Sequence, residues 1–255
     1  MPQTVSFPIF QTLRVTDYAL YRPNEADAFV WNFRDGPNAL IGVNGLGKST
    51  LVALIFRMLT GPWDLNRRAL EGELGQPDVA PVMIADRRLF ARRVSDQARS
   101  AKAELSLRLG SHKLVITRRL DDLALVSFCV DDKQLPIGND DRDIYQPTIA
   151  ELMSTGSFFD VLIVLRFLVF VFEDRRSLVW DESAQRQIFR ATLSTTPAEA
   201  QRTLSLQRII VEADSSARNT RVQVNKARHA LDEAVRTLQS RDENQAALYV
   251  SEKQL

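Results

Sequence analysis

At 255 residues the chain can hold one or two domains and a sizeable core. Formal net charge is +1, so global charge identifies no nucleic-acid partner and only local clusters can. One cysteine, Cys129, excludes an internal disulfide framework and fits a reducing cytoplasm; with His112 and His229 as the only histidines, no metal cluster is credible.

Residues 11–18 alternate and predict a strand, and residues 29–33 a second. Asp35-Gly36-Pro37 turns the chain into residues 38–41, Asn-Ala-Leu-Ile, which read as a short buried strand. That strand is expected to run straight into residues 42–50, Gly-Val-Asn-Gly-Leu-Gly-Lys-Ser-Thr, which fit the phosphate-loop pattern G-x-x-x-x-G-K-[ST]. Glycines let such a backbone curl so that its N–H groups, here those of Asn44, Gly45, Leu46, Gly47, Lys48, Ser49 and Thr50, point at phosphate oxygens. Lys48 is placed for the β- and γ-phosphates of ATP, in binding and in catalysis, and the Ser49 hydroxyl for Mg²⁺. Residues 51–59 read as the helix leaving the loop, adding its positive end, and Gly61-Pro62 stops it. Residues 63–81 read as loops with a short helix at 67–73.

Residues 87–119 are rich in arginine, including Arg87, Arg88, Arg92, Arg93, Arg118 and Arg119, with few acids among them. Two readings stand: a surface for DNA phosphates, or a solvated outer face with ion pairs. Inside this stretch residues 103–109 alternate, Gly110-Ser111 turns, and residues 112–119 follow, which predicts a hairpin. Residues 124–130 form the next expected strand, and Asp131-Asp132-Lys133 turns it towards Gln134. Helices are predicted at 149–154, 158–166 and 181–193, with residues 168–172 as a strand buried on both faces. The longest apolar run, residues 161–172, is interrupted by Arg166 and falls short of the ~20 residues a membrane helix needs. With no secretory leader visible, a cytoplasmic protein without membrane contact is expected.

The last proline is Pro197, and all ten glycines lie at or before Gly156. Thr196 as N-cap, Pro197 at the first helical position and Glu199 at the third make a capping box. No breaker follows, so a helix to residue 255 would span roughly 90 Å. Ile210, Ala217, Val224, Leu231 and Leu238 repeat every seven residues, and Leu206, Ala213, Thr220, Ala227, Ala234 and Leu248 fill an alternate seam. The expectation is one arm of a coiled coil; a helix packed on its own domain is the other reading.

The loop spelling Asn44-Gly45-x-Gly47-Lys48-Ser49-Thr50 resembles that of ABC-type ATPases, and among them the SMC and SbcC-type DNA-repair ATPases. The paired opening strands and the hairpin ending in Thr117-Arg118-Arg119 are similar to that family, whereas the base-reading Asn-Lys-x-Asp of small GTPases is missing. The resemblance implies an α/β fold: a P-loop NTPase head lobe of ABC/SMC type with an antiparallel side sheet over residues 1–195, then an ascending coiled-coil arm over 196–255. It implies ATP and Mg²⁺ as ligands, a second head copy sandwiching the nucleotide, and a C-terminal head half supplying the signature and catalytic glutamate. Double-stranded DNA, a nuclease or other effector subunit and a nucleoid-associated location belong to the same expectation. Leu-Ser-Gly-Gly occurs nowhere in the chain, and the apolar run to Phe172 ends in Glu173-Asp174, the reverse of a Walker B ending. Phe172 or Glu173 stands where the family carries its Q-loop glutamine. Glu173 is therefore the candidate second Mg²⁺ ligand, with Asp174 as its neighbour, against an acidic surface turn. Two functions stay open: an ATP-hydrolysing head of a DNA-engaging machine, expected to bind nucleotide weakly and to be inactive as this piece alone, or a nucleotide-binding assembly module.

Overall fold

The computed structural model describes residues 4–43, 45–71, 76, 79–138, 141–172, 182–193 and 197–252. It divides into two compact units, Met1–Leu204 and Ser205–Leu255. The first is mixed α/β. An antiparallel sheet runs β2-β1-β5-β6-β7-β8, from β1 (Pro8–Thr16), β2 (Ala28–Asn32), β5 (Lys102–Leu109), β6 (His112–Arg119), β7 (Leu125–Val130) and β8 (Lys133–Gln134). A small pair, β3 (Trp63–Leu65) and β4 (Val82–Ile84), lies apart from it in topology. The expected hairpin is present, with Leu109 opposite His112 across Gly110-Ser111. Gly110 has φ +57°, as the first central residue of a two-residue hairpin turn requires. Asp131 and Asp132 both have positive φ and join β7 to β8, the other solution to tight hairpin twist.

Period-two alternation decides which face is buried. Leu13 and Val15 of β1, Ala103, Leu105, Leu107 and Leu109 of β5, and Leu114 and Ile116 of β6 point into the core. Helix α1 (Lys48–Thr60) packs there through Leu51, Leu54, Ile55, Met58 and Leu59. Helices α2 (Tyr145–Leu152) and α3 (Phe158–Val164) complete the core, and α4 (Glu182–Leu193) joins it through Ile188 and Ala191. Ser157 caps α3 by accepting from the Asp160 N–H, and buried Asp160 pairs with Arg190 of α4.

Arg118 continues the inward set of β6 and is 0% exposed. Its Nε donates to Met58 O at 3.0 Å, and its Nη1 to Leu123 O at 3.0 Å and to Asp141 Oδ2 at 2.8 Å. Its guanidinium lies 4.6 Å from the Tyr145 ring centre, and Tyr145 O–H donates to Leu59 O at 2.6 Å. The last carbonyls of a buried helix need such partners, and a cation there also suits the helix dipole. The reading of Arg118 as a DNA contact is therefore overturned, because no face of it reaches solvent.

Two expected strands are corrected. Residues 38–41 form no strand, and Ile41 and Val43 are 91% and 73% exposed. The Asn38 carboxamide closes a turn, accepting from Arg34 N–H at 3.0 Å and donating to Arg34 O at 2.8 Å, and among the described residues no strand pairs with this segment. Residues 168–172 are not a doubly buried strand either. Leu165–Val169 prolong α3 as a π turn, closed by Phe170 N–H to Leu165 O at 2.8 Å, and Val171 is 69% exposed. That closure consumes the donor a ladder would use, and Phe170 and Phe172 pack edge-on against Phe56 of α1 instead. The helix expected at 158–166 is α3 as far as Val164 and then the π turn to Val169, and the one expected at 149–154 begins earlier, at Tyr145. The short helix expected at 67–73 is a 3₁₀ turn, Arg67–Leu70.

Helix α5 (Pro197–Glu252) runs for 56 residues. In the second unit Leu206, Ile210, Val224, Leu231 and Leu238 of the seven-residue pattern are exposed. Thr196 of the capping box and Leu255 lie outside the described residues. No helix among the described residues is long and apolar enough to cross a membrane.

Replacing Arg118 by Met should lower unfolding free energy by about 3–5 kcal/mol, because it strands the Asp141 carboxylate and two buried carbonyls. Arg119→Met, at an exposed ion pair, should cost ~0–1 kcal/mol. Urea midpoints of the two variants check the contrast.

Candidate functional site

Gly45 and Gly47 have φ of +92° and +79°, the left-handed region that glycine enters without strain. Gly47 is the N-cap of α1, and a side chain there would bring Cβ within 2.8 Å of Leu20 Cδ2. The φ is what demands glycine; the space is tight, against the movable end of a leucine side chain. Lys48 Nζ folds back over the loop, donating to Gly42 O at 2.7 Å and Val43 O at 2.8 Å. The first α1 bond is Leu51 N–H to Gly47 O at 2.9 Å. The preceding N–H groups therefore have no intrahelical acceptor, and no acid lies in the first turn. Ser49 and Leu46 are exposed beside Lys48, and Thr50 is buried. Free N–H groups, a lysine and a helix N-terminus without acid suit a polyphosphate. The loop-then-helix half of the motif context is present; the entering strand is not.

Three supporting groups come from far along the chain. Tyr21 O–H donates to Gly47 O at 3.1 Å while its ring stacks on Phe29, centres 5.0 Å apart. Tyr18 O–H donates to Phe90 O at 3.1 Å. Arg93 Nη1 donates to Thr50 Oγ1 at 2.8 Å. Burial pushes the Tyr18 phenol up to about 12, opposed by the nearby Arg93 cation and assisted by Asp96. Burial raises the Tyr21 phenol further, with Tyr18 beside it acting in the same sense and Arg93 against. Sequence reading missed Tyr18, Tyr21 and the Arg93–Thr50 contact. The doublet of aromatics three residues apart just past β1 was the one local signal available.

Asn44, Glu173 and Asp174 lie outside the described residues; Ser49, the other expected Mg²⁺ ligand, is exposed in the first turn of α1. Among the described residues no group of three or more His, Cys, Asp or Glu side chains gathers.

The arginines do not form one cluster. Arg87, Arg88 and Arg92 are exposed on the stretch before and within the 3₁₀ turn Ala91–Arg93. Arg88 donates to Gln97 Oε1 at 2.8 Å, and Arg92 pairs with Asp86 at 2.9 Å. Arg119, at the end of β6, pairs with Asp122 and with Asp121. The Asp122 hydrogen bond and charge hold Arg119 above its usual pKa. For Asp122 burial works upward, yet the Arg119 bond and the Ala124 N–H win and lower it. Exposed pairs of this kind are weak, so Arg87, Arg88 and Arg92 stay competent for phosphate contact. No protein-family model matches the chain, and no curated protein matches it.

Gly47→Ala should weaken any loop-dependent ligand at least tenfold and lower stability by ~1–2 kcal/mol, from the strained φ and the Leu20 collision; calorimetry and thermal melts check both. For the tyrosines the sign follows from the raised phenols. An unfolded tyrosine ionises near about 10, whereas Tyr18 holds its proton to about 12 and Tyr145, driven mainly by burial, also to about 12. Their contribution is complete below the unfolded value and is lost as pH rises towards the folded one. Phenolate absorbance should show these tyrosines titrating late, with stability falling over that window.

Proposed function

We propose that this chain carries the nucleotide-binding part of an ATP-hydrolysing head of SMC or SbcC type. The observation that carries the reading is the loop at residues 42–50. It spells G-x-x-x-x-G-K-S, holds Gly45 and Gly47 at positive φ, folds Lys48 back onto the Gly42 and Val43 carbonyls, and leads into a helix with no acid in its first turn. Mg²⁺, held through Ser49, supplies charge neutralisation for the phosphates when bound. Lys48 and the N–H groups orient and neutralise the β- and γ-phosphates.

Exposed Leu40, Ile41 and Val43 beside the loop support a completing C-terminal head half packing there, since apolar residues gathered at one place mark interaction surfaces. The signature and catalytic glutamate then come from outside residues 1–255, in a dimer with a second head. The apolar residues every seventh position on α5 support the coiled-coil arm. Arg87, Arg88 and Arg92 support duplex DNA as partner, with an effector subunit such as a nuclease as the further element. Phe172 or Glu173, standing where the family carries its Q-loop glutamine, favours the second reading, a nucleotide-dependent assembly module.

The deciding experiment measures Mg-ATP binding by calorimetry, and turnover with and without duplex DNA and a separately supplied C-terminal head half. Binding that Lys48→Ala reduces at least tenfold, with DNA-stimulated turnover, supports the motor. Lys48-dependent binding without turnover under any condition leaves the assembly module. Absence of Mg-ATP binding removes both.

A further inference from the structure

We infer that Tyr21 is a positioning residue of the phosphate loop: its hydroxyl, bound to the Gly47 carbonyl, aims the Lys48 backbone N–H at the ligand's phosphates and makes that N–H a stronger donor. The inference rests on the nucleotide-binding reading and adds to it a side chain that acts on the loop from beneath, through the peptide, without touching the ligand.

The peptide joining Gly47 to Lys48 carries both groups. A trans peptide is planar, so its C=O and its N–H point in opposite directions, and no cis peptide occurs among the described residues. Gly47 O points along α1, where it accepts from Leu51 N–H at 2.9 Å. The N–H of Lys48, the first residue of α1, therefore points out of the helix at its N-terminal end, and among the described residues it has no acceptor. Glycine at the N-cap, with φ +79°, gives the chain the left-handed bend it needs but also leaves this peptide free to tilt. Tyr21 Oη takes up that freedom by donating to Gly47 O at 3.1 Å, so the carbonyl is held from two sides, by Leu51 and by Tyr21.

The chemistry of the bond has one direction. A carbonyl oxygen only accepts, so the phenol is the donor, and burial raises its pKa and keeps the proton on it. A hydrogen bond to the C=O draws electron density across the amide, and bonds in series strengthen one another. The bond made on one side of the peptide is thus felt at the Lys48 N–H on the other.

The Tyr21 ring holds the hydroxyl in place. It stacks on Phe29 of β2 with centres 5.0 Å apart and lies 5.6 Å from the Tyr18 ring. A Cβ built at Gly47 would stand 3.3 Å from Tyr21 Cε1, so the ring lies directly against the loop. Phe29 is itself fixed by the pairing of β2 with β1, opposite Val15. A donor on a ring so packed has already given up its freedom before a ligand arrives, which is preorganisation in the ordinary sense.

The test compares wild type with Tyr21→Phe, which removes one oxygen and keeps the ring. Calorimetry measures Mg-ATP, Mg-ADP and Mg-pyrophosphate, melts without ligand report stability, and nitrogen-15 NMR follows the Lys48 amide in the free protein. Ile188→Val, a core trim in α4, shows how far affinity follows stability alone. Tyr21→Phe should melt within about 4 °C of wild type. It should bind all three phosphates about 3- to 10-fold more weakly, by a common factor. Its Lys48 amide proton should move upfield before any ligand is added. Three results overturn the assignment while leaving the nucleotide reading intact. One is binding within twofold of wild type in Tyr21→Phe while Lys48→Ala loses it. Another is affinity lost for Mg-ATP and Mg-ADP but kept for Mg-pyrophosphate, which puts Tyr21 at the nucleoside. The third is affinity lost only in step with melting temperature, as in Ile188→Val, with the Lys48 amide unmoved, which makes Tyr21 a structural strut. If wild type binds none of the three, the functional reading itself falls, and this assignment with it.

Discussion

A helix whose C-terminal end is buried leaves carbonyls that something must satisfy, and this constraint organises the first unit around α1. Arg118 answers for Met58 and Tyr145 for Leu59, while Gly61 N–H returns to Arg57 O at 2.7 Å. Burying a guanidinium is costly unless it is paired and bonded. Here Asp141 neutralises it, Leu123 O takes a further hydrogen, and the Tyr145 ring lies under it. One Arg118 nitrogen, Nη2, is buried without a hydrogen-bond acceptor among the described residues, where the ring face is its remaining compensation. The other end of the same helix carries Lys48, Ser49 and Thr50. The proposed nucleotide site and this cluster thus share one helix and sit roughly three turns apart.

At that N-terminal end the positioning is done by side chains from elsewhere in the chain. Tyr21 fixes the carbonyl of Gly47, the residue whose left-handed backbone sets the direction of the first turn. Tyr18 fixes the turn that carries Arg93. The two tyrosine rings lie 5.6 Å apart between these contacts. Loop, helix and basic turn are therefore joined by two phenolic hydrogen bonds and one guanidinium, each modest alone.

Much of this was legible in the residues, and the reasons differ by element. The hairpin β5–β6 announced itself because alternation and a Gly-Ser turn are both local signals. The glycine loop did so because its backbone demands are spelled in adjacent positions. Arg118 was legible as well: it stands in phase with Leu114 and Ile116, so alternation already assigned it to the inner face. A pair of arginines in a strand sends one side chain to each side, which the charge count obscured. Residues 38–41 misled because an apolar run specifies a strand only where a neighbour offers a ladder, and none among the described residues does. The run near Phe170 misled because continuous apolar sequence has no period to separate strand from helix. Tyr21 to Gly47 and Arg93 to Thr50 cross 26 and 43 residues, and no local pattern encodes such contacts.

The Arg118 cluster also bears on how the chain acquires its structure. Its contacts join Met58, Arg118 and Asp141, with sequence separations of 60 and 23 residues. Early burial of the C-terminal end of α1 would strand its carbonyls, so docking of that end waits for β6 and the segment leading into α2 to arrive. Contacts so distant along the chain carry a loop-closure cost before they return any stabilisation. The loop at the opposite end of α1 then becomes rigid only as the whole unit does, and its order serves as a reporter of completed folding.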